Sequence, residues 1–292
     1  MKIIIIGAVA GGTTAATKIR RNSEEAIITI YEKDVDISYS GCGLPYYIGG
    51  ITNDFSDIVP RDPSFFKEKH QIDIHTQQEV LSINRHDKSI QIKNLLTGEI
   101  YSDTYDQLIL STGASVFKPP IPGTDLEHVF YLRTVRDTIK IKEFIKKEQP
   151  KKAVIVGSGA IGLEMLENFD RLGIETKVVE MKELINPSLD TDMSKLLSKK
   201  LWDKGVDLRL SSEVIEISKD SVKLASGELI EASLVLMATG VKPNIKLAKE
   251  SGITIGKSGA IEVDEFMRTS DENIYAVGDC AETYDSITGK TV

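Results

Sequence analysis

Ala153-Val154-Ile155-Val156-Gly157-Ser158-Gly159-Ala160-Ile161-Gly162 carries a buried-strand run straight into a complete G-x-G-x-x-G. The aliphatic run is the pattern of a parallel strand covered on both faces. The glycines serve separate ends: a tight turn, close approach of the backbone to a pyrophosphate, and close packing of the following helix. That helix continues through Leu163-Glu164-Met165-Leu166-Glu167, and the next strand, Thr176-Lys177-Val178-Val179, ends at Glu180. An acidic side chain at this strand end favours a free ribose 2′-OH over a 2′-phosphate, which predicts NADH, while Lys182 nearby leaves NADPH open.

The same grammar occurs earlier. Lys2 to Ile6 is a branched-aliphatic run leading into Gly7-Ala8-Val9-Ala10-Gly11-Gly12, a small-residue helix from Thr13, and a strand Ala26 to Tyr31 that ends at Glu32. Val9 stands at the middle glycine, so on its own this motif equally allows a turn that binds nothing. Two strand ends also match: Ser111-Thr112-Gly113 closes the run from Tyr105, and Ala238-Thr239-Gly240 closes the run from Leu234. Small residues there let a ligand approach the backbone. Two dinucleotide sites in one chain are the simplest explanation.

Between these landmarks, a polar connection with Pro60 and Pro63 leads to a short helix, Ser64 to Lys69. Alternating segments at Ile72-Asp73-Ile74, Val80 to Ile83, Ser89 to Ile92 and Ile100-Tyr101 read together as an antiparallel meander. Pro119-Pro120-Ile121-Pro122-Gly123 marks a crossing between domains, and Asn273 to Asp279 is a short strand ending in Gly-Asp. The expected fold is α/β, with two Rossmann-like domains, each three-layered with a parallel sheet and a β-meander. The expected domains are a discontinuous one, 1–115 with 242–292, and an inserted one, 116–241.

Composition is that of a soluble globular chain: 292 residues, 41% hydrophobic and 27% charged. The apolar opening stops at Gly7, far short of a membrane span or a secretory leader, so the expected location is cytoplasmic with no membrane partner. A net charge of −8 argues against nucleic acid. Two cysteines and four scattered histidines give neither a disulfide framework nor metal-ligand spacing.

One of those cysteines is placed unusually. Ser38-Tyr39-Ser40-Gly41-Cys42-Gly43-Leu44-Pro45-Tyr46-Tyr47-Ile48-Gly49-Gly50 sets Cys42 between two glycines at the expected start of a helix. A thiol at a helix N-terminus has its thiolate favoured by the dipole and free N–H groups. Cys42 is therefore the candidate redox centre, against the alternative of a small residue filling space.

Together these motifs resemble the pyridine-nucleotide disulfide oxidoreductases, flavoproteins with an FAD domain interrupted by an NAD(P)H domain. The likeness is greatest to the single-cysteine branch of CoA-disulfide reductases, CoA-persulfide or polysulfide reductases, NADH oxidases and NADH peroxidases. It is carried by Gly7 to Gly12, Cys42 to Gly49, Gly157 to Glu164 and Ala276-Val277-Gly278-Asp279. The resemblance implies that Gly7, Ala8, Gly11, Gly12, Glu32, Lys33, Thr112, Gly113, Gly278 and Asp279 hold FAD. It assigns Gly157, Gly159, Ile161, Gly162, Glu164, Glu180 and Gly240 to NADH. From the residues alone, Glu164 could be a solvated helix position and Asp279 a helix cap.

For substrate, the resemblance implies a small-molecule disulfide or persulfide of the CoA type. Thr14, Lys18, Arg21 and Ser38 would meet it, with Lys69 or His70 beside them, although Lys18, Arg20 and Arg21 equally suit a solvated helix face. Cys42 would cycle between thiolate and mixed disulfide, whereas Cys280 would only pack. The rival readings are an NADH oxidase or peroxidase working through a cysteine sulfenic acid, and a non-catalytic FAD- and NAD-binding fragment. Family members continue into a C-terminal dimerisation domain, so a homodimer is expected for the full-length family and that domain is expected to be missing from a chain ending at Val292.

Overall fold

The computed structural model describes residues 1–289 and Thr291. By packing, the chain divides into two compact units: Met1–Tyr39 with Val59–Ser115 and Lys242–Val292, and Ser40–Ile58 with Val116–Val241.

The first unit is built on a five-stranded sheet ordered Ile274–Ala276, Gln107–Leu110, Lys2–Ile6, Ile27–Tyr31, Ile72–His75. Every neighbouring pair is parallel, with Ile3 opposite Ile28 and Ile4 opposite Leu108. The continuous isoleucine run is explained by burial of both faces, because alternate side chains enter different cores. Ile3, Ile5, Ile28 and Ile30 pack with Ala16 and Phe66 from the helices Ala10–Asn22 and Pro63–His70. Ile4, Ile6, Leu108 and Leu110 pack with Val80, Ile83, Ile90 and Ile92 of an antiparallel meander, Gln78–Asn84, Ser89–Asn94 and Ile100–Thr104.

One expected meander segment belongs elsewhere. Ile72–His75 is the parallel edge strand beside Ile27–Tyr31. The helix Pro63–His70, N-capped by the Asp62 carboxylate accepting from Phe65 N–H at 2.9 Å, returns the chain to the starting end of the sheet. The crossover makes the next strand parallel whatever its alternation.

The second unit repeats the plan. Its parallel sheet runs Val129–Phe130, Leu234–Met237, Lys152–Val156, Glu175–Val179, Asp207–Arg209, the same order as in the first unit except that the outer strand beside Leu234–Met237 precedes the others in sequence, whereas Ile274–Ala276 follows them. Val154, Val156 and Val179 face Val222, Leu224 and Ile230 of a second meander, Val214–Ile217, Ser221–Leu224 and Leu229–Glu231. The helix Val135–Glu148 starts on a reciprocal capping box between Thr134 and Asp137. The short helix Leu44–Ile48 packs on Val135–Glu148 and on Ala160–Arg171, which is why Ser40–Ile58 groups with this unit. Among the described residues, no helix is long and apolar enough to cross a membrane.

Candidate active site

The two glycine turns have nearly superimposable geometry. Gly7 and Gly157 have φ of +106° and +105°. A Cβ on Gly7 would sit 2.1 Å from the Ser111 carbonyl oxygen, and one on Gly157 would sit 2.3 Å from that of Ala238. On the third glycines, Gly12 and Gly162, a Cβ would fall 1.9 Å and 2.2 Å from the carbonyl oxygens of Gly7 and Gly157. These overlaps are with backbone, so no side-chain adjustment relieves them, and only glycine lets helix, turn and strand meet.

Ala10–Asn22 and Ala160–Arg171 begin directly at the turns, and neither N-cap residue bonds the first turn with its side chain. Uncapped N–H groups at a helix start favour an anion. Gly159 has no atom within 4 Å of its missing Cβ among the described residues, leaving that approach clear. Gly11 is closer: its Cβ would lie 2.7 Å from Ser111 Oγ.

Each cradle is closed by a buried carboxylate. Glu32 accepts from Ala8 N–H at 2.7 Å and from Asp34 N–H at 2.9 Å. Burial pushes its carboxyl above the usual value, with those two N–H groups pulling the other way. Glu180 accepts from Ser158 N–H at 2.9 Å, Ser158 Oγ at 2.7 Å and Lys182 N–H at 2.9 Å. In both units the acid at the strand end therefore also fastens the glycine turn. Ser158 adds a clasp: its hydroxyl accepts from Asn186 N–H at 3.0 Å, pinning the loop after Glu180.

Thr112 is stapled at both ends to Asn244, its hydroxyl donating to the Asn244 carbonyl at 2.7 Å while Asn244 Nδ2 donates back at 2.8 Å. Gly113, Gly240 and Gly278 all have positive φ, at +62°, +94° and +77°. Asp279 and Lys33 are exposed, Ile161 is half-buried, and Glu164 is half-buried with its carboxyl raised by burial and then by Glu167.

Cys42 is exposed and sits in the 3-10 turn Gly41–Gly43. Helix Leu44–Ile48 follows directly, so Cys42 stands at a helix start, but over five residues the dipole behind the thiol is short. Gly43 is tied down by the turn: its N–H donates to the Ser40 carbonyl at 3.0 Å, and a Cβ on it would meet Ser40 Oγ at 2.9 Å. Ser38 holds φ of +50° and donates its N–H to the Ala8 carbonyl at 2.8 Å, joining that residue to the first glycine turn. Cys280 is fully buried, with Sγ 3.4 Å and 3.3 Å from the carbonyls of Leu110 and Val277.

Thr14, Lys18 and Arg21 are exposed on successive turns of Ala10–Asn22. Arg20 is committed elsewhere, donating to the carbonyls of His70 at 2.8 Å, Ala26 at 2.7 Å and Gln71 at 3.0 Å. His70 is held below its usual pKa by burial and then by Lys69, Arg21 and Arg61. Lys69 and Arg61 lie 5.2 Å and 5.3 Å from the Phe65 ring centroid. The first unit thus carries a cationic face with an aromatic centre on a chain of net charge −8. Ser111 and Ser158 lie inside motifs the sequence marks, whereas Asn244 carries no sequence signal, because its contacts with Thr112 are long-range.

Residues 1–290 match the family described as pyridine nucleotide-disulphide oxidoreductase. A Coenzyme A disulfide reductase of Staphylococcus haemolyticus is 38% identical over 278 residues, covering 95% of this chain and 62% of its own length. An NADH oxidase of Methanocaldococcus jannaschii is 42% identical over 294 residues, covering 99% of this chain and 65% of its own. The chain therefore spans just under two thirds of these relatives. Among solved structures, reduced Bacillus anthracis CoADR-RHD superposes with a TM-score of 0.96 at 38% identity, covering all of this chain and 53% of that one. An NAD-dependent persulfide reductase from A. fulgidus gives 0.95 at 39% identity, covering all of this chain and 56% of that one. With the matched region spanning both glycine cradles and the cysteine turn, the chain belongs to the pyridine nucleotide-disulphide oxidoreductase family.

Proposed function

We propose that this chain is the two-nucleotide part of an FAD-dependent NAD(P)H:disulfide oxidoreductase that uses Cys42 as its single redox cysteine. The observation that carries the reading is the duplicated cradle, two glycine turns each closed by a buried acid, in one chain with an exposed cysteine between glycines. The residues present suit the two nucleotides: the glycines let strand, turn and helix start meet, Gly159 leaves open space beside its turn among the described residues, and each helix start offers N–H groups without a side-chain cap.

Gly7, Gly11, Gly12 and Glu32 would hold FAD with Thr112, Gly113 and Asp279, and Gly157, Gly159, Gly162 and Glu180 would hold NADH. Bound FAD would supply a two-electron relay between NADH and sulfur. Cys42 thiolate attacks one sulfur of a disulfide, forms a mixed disulfide and expels the other sulfur as thiolate. Two electrons originating in NADH then cleave the mixed disulfide, returning Cys42 thiolate and the second thiolate. Lys18 and Arg21, with Arg61 and Lys69 nearby, suit a phosphorylated thiol of the CoA type. The names of the Staphylococcus and A. fulgidus relatives support a CoA disulfide or persulfide, and that of the Methanocaldococcus relative supports an oxidase as the second reading.

An anaerobic NADH titration of the FAD-reconstituted protein and of Cys42→Ser, followed by CoA disulfide or persulfide, separates them. Flavin bleaching in both, with thiol released only by wild type, is the expected result. With peroxide, or air, supplied in a parallel run, its consumption without thiol release selects the oxidase reading, and absence of bleaching refutes both.

A further inference from the structure

The helix following Cys42 is clamped at its far end. At five residues, Leu44–Ile48 is well below the length at which a helix holds itself in water, so tertiary contacts decide where it lies. From Val135–Glu148, Lys142 places its Nζ 3.0 Å from the Tyr47 carbonyl oxygen and 3.6 Å from the Tyr47 ring centroid. That carbonyl, in the last turn, also meets the backbone N–H groups of Gly49 and, at 3.4 Å, of Gly50. The ammonium thus adds a charged donor at the helix end while lying over an aromatic face. Burial lowers the Lys142 pKa, so its charge is held here against a desolvation cost.

From Ala160–Arg171, fully buried Asn168 sets its side chain against Gly49, where a Cβ would lie 1.9 Å from Oδ1. Gly49 has φ of −72°, so its backbone does not call for glycine; the approach of Asn168 does. Asn168 Nδ2 donates to the Glu164 carbonyl at 2.8 Å, and its Oδ1 has no donor among the described residues. At the opposite end Leu44 is buried, the Gly43 N–H is held by the Ser40 carbonyl and the Ser40 N–H by that of Ile58, while Cys42 itself is exposed and Gly41 has no atom within 4 Å of its missing Cβ among the described residues. The clamped end acts with these contacts in setting the direction in which the cysteine turn is presented.

We propose that Lys142 is a positioning residue for Cys42, acting through Tyr47 and the helix Leu44–Ile48, with Gly49 on Asn168 as the second point of the clamp. The inference rests on Cys42 being the reacting thiol. Sulfur exchange requires an aligned approach, and small misplacements are costly. The reaction of NADH with bound flavin makes no such demand on Cys42.

Lys142→Met keeps the apolar stem and removes the charge, Lys142→Arg keeps a cation, and Gly49→Ala strikes the second point. Amide hydrogen exchange, iodoacetamide alkylation of Cys42 with buried Cys280 as internal reference, and the two half-reactions of the FAD-loaded protein are compared. For Lys142→Met and Gly49→Ala, exchange should rise only in peptides covering residues 43–52. The Cys42 alkylation rate should change, and thiol release should fall about tenfold in kcat while NADH-driven flavin bleaching stays within about twofold. Lys142→Arg should restore most of the loss. Unchanged exchange at 43–52, exchange raised throughout the protein, equal loss of both half-reactions, or an Arg variant as impaired as Met each overturn the proposal. If wild type releases no thiol from any sulfur substrate, the functional reading fails, while exchange and alkylation still decide the positioning claim.

Discussion

Replacing Glu32 by Gln probes the first cradle one oxygen at a time. Its Oε2 accepts from Ala8 N–H at 2.7 Å and its Oε1 from Asp34 N–H at 2.9 Å, with the residue only 8% exposed. An amide of the same shape keeps one acceptor and turns the other into a donor facing an N–H. One charge-assisted bond is lost, about 1.5–3 kcal/mol, and a buried donor goes unmet, about 1–3 kcal/mol. Part of this is offset, since burial is the largest influence on the carboxyl and an amide escapes that penalty. A net loss of about 2 kcal/mol follows, which at a urea dependence of about 1–3 kcal/mol per molar moves the midpoint down by about 1 M. Trp202 is the chain's one tryptophan and lies in the second unit, so its fluorescence follows that unit while far-UV circular dichroism follows both. The early part of the dichroism transition should move to lower urea while the Trp202 transition stays. If both stay at the wild-type midpoint, or both move together, the local-cradle reasoning is refuted. The pH dependence adds a sign: because the folded carboxyl is raised above 4.5, its contribution is fully present below that pH and is lost as pH rises through the folded value. Glu32→Gln should remove that slope.

In the second unit, Gly162→Ala drives a methyl into the Gly157 carbonyl, at 2.2 Å, and should cost about 1–3 kcal/mol and most NADH affinity, leaving FAD content unchanged; calorimetry with both nucleotides checks this. Lys18→Ala with Arg21→Ala should raise KM for a CoA-type disulfide several-fold at low ionic strength, less in salt and without changing KM for NADH. His128 is buried and held below its usual 6.5 mainly by desolvation, so its stabilising effect is present above that pH and lost as pH falls through the folded value. The acid limb of a stability profile followed by Trp202 fluorescence should flatten in His128→Phe.

Much of this architecture was legible because its signals are local. An isoleucine run, a glycine that must take positive φ and an acid just past a strand are neighbours along the chain, so their spacing survives without knowledge of what packs on them. The register of the two halves, Gly7 with Glu32 and Gly157 with Glu180, is legible for the same reason. The helix Val135–Glu148 is not among the elements expected from the sequence, although its Thr134–Asp137 capping box stands there.

The direction of one strand was not legible. Ile72-Asp73-Ile74 alternates like a meander strand, yet the chain reversal made by Pro63–His70 places it parallel at the sheet edge, and alternation carries no information about direction. Nor did the sequence show the partners of Ser40–Ile58, which depend on Lys142 and Asn168 far along the chain. By itself, then, the sequence determined two glycine-turn nucleotide cradles and one candidate redox cysteine, since each rests on residues within a few turns of one another. Only the tertiary structure decided where Ile72–His75 pairs, what stands against each glycine and what holds the cysteine turn in place, because those contacts join residues that only packing brings together.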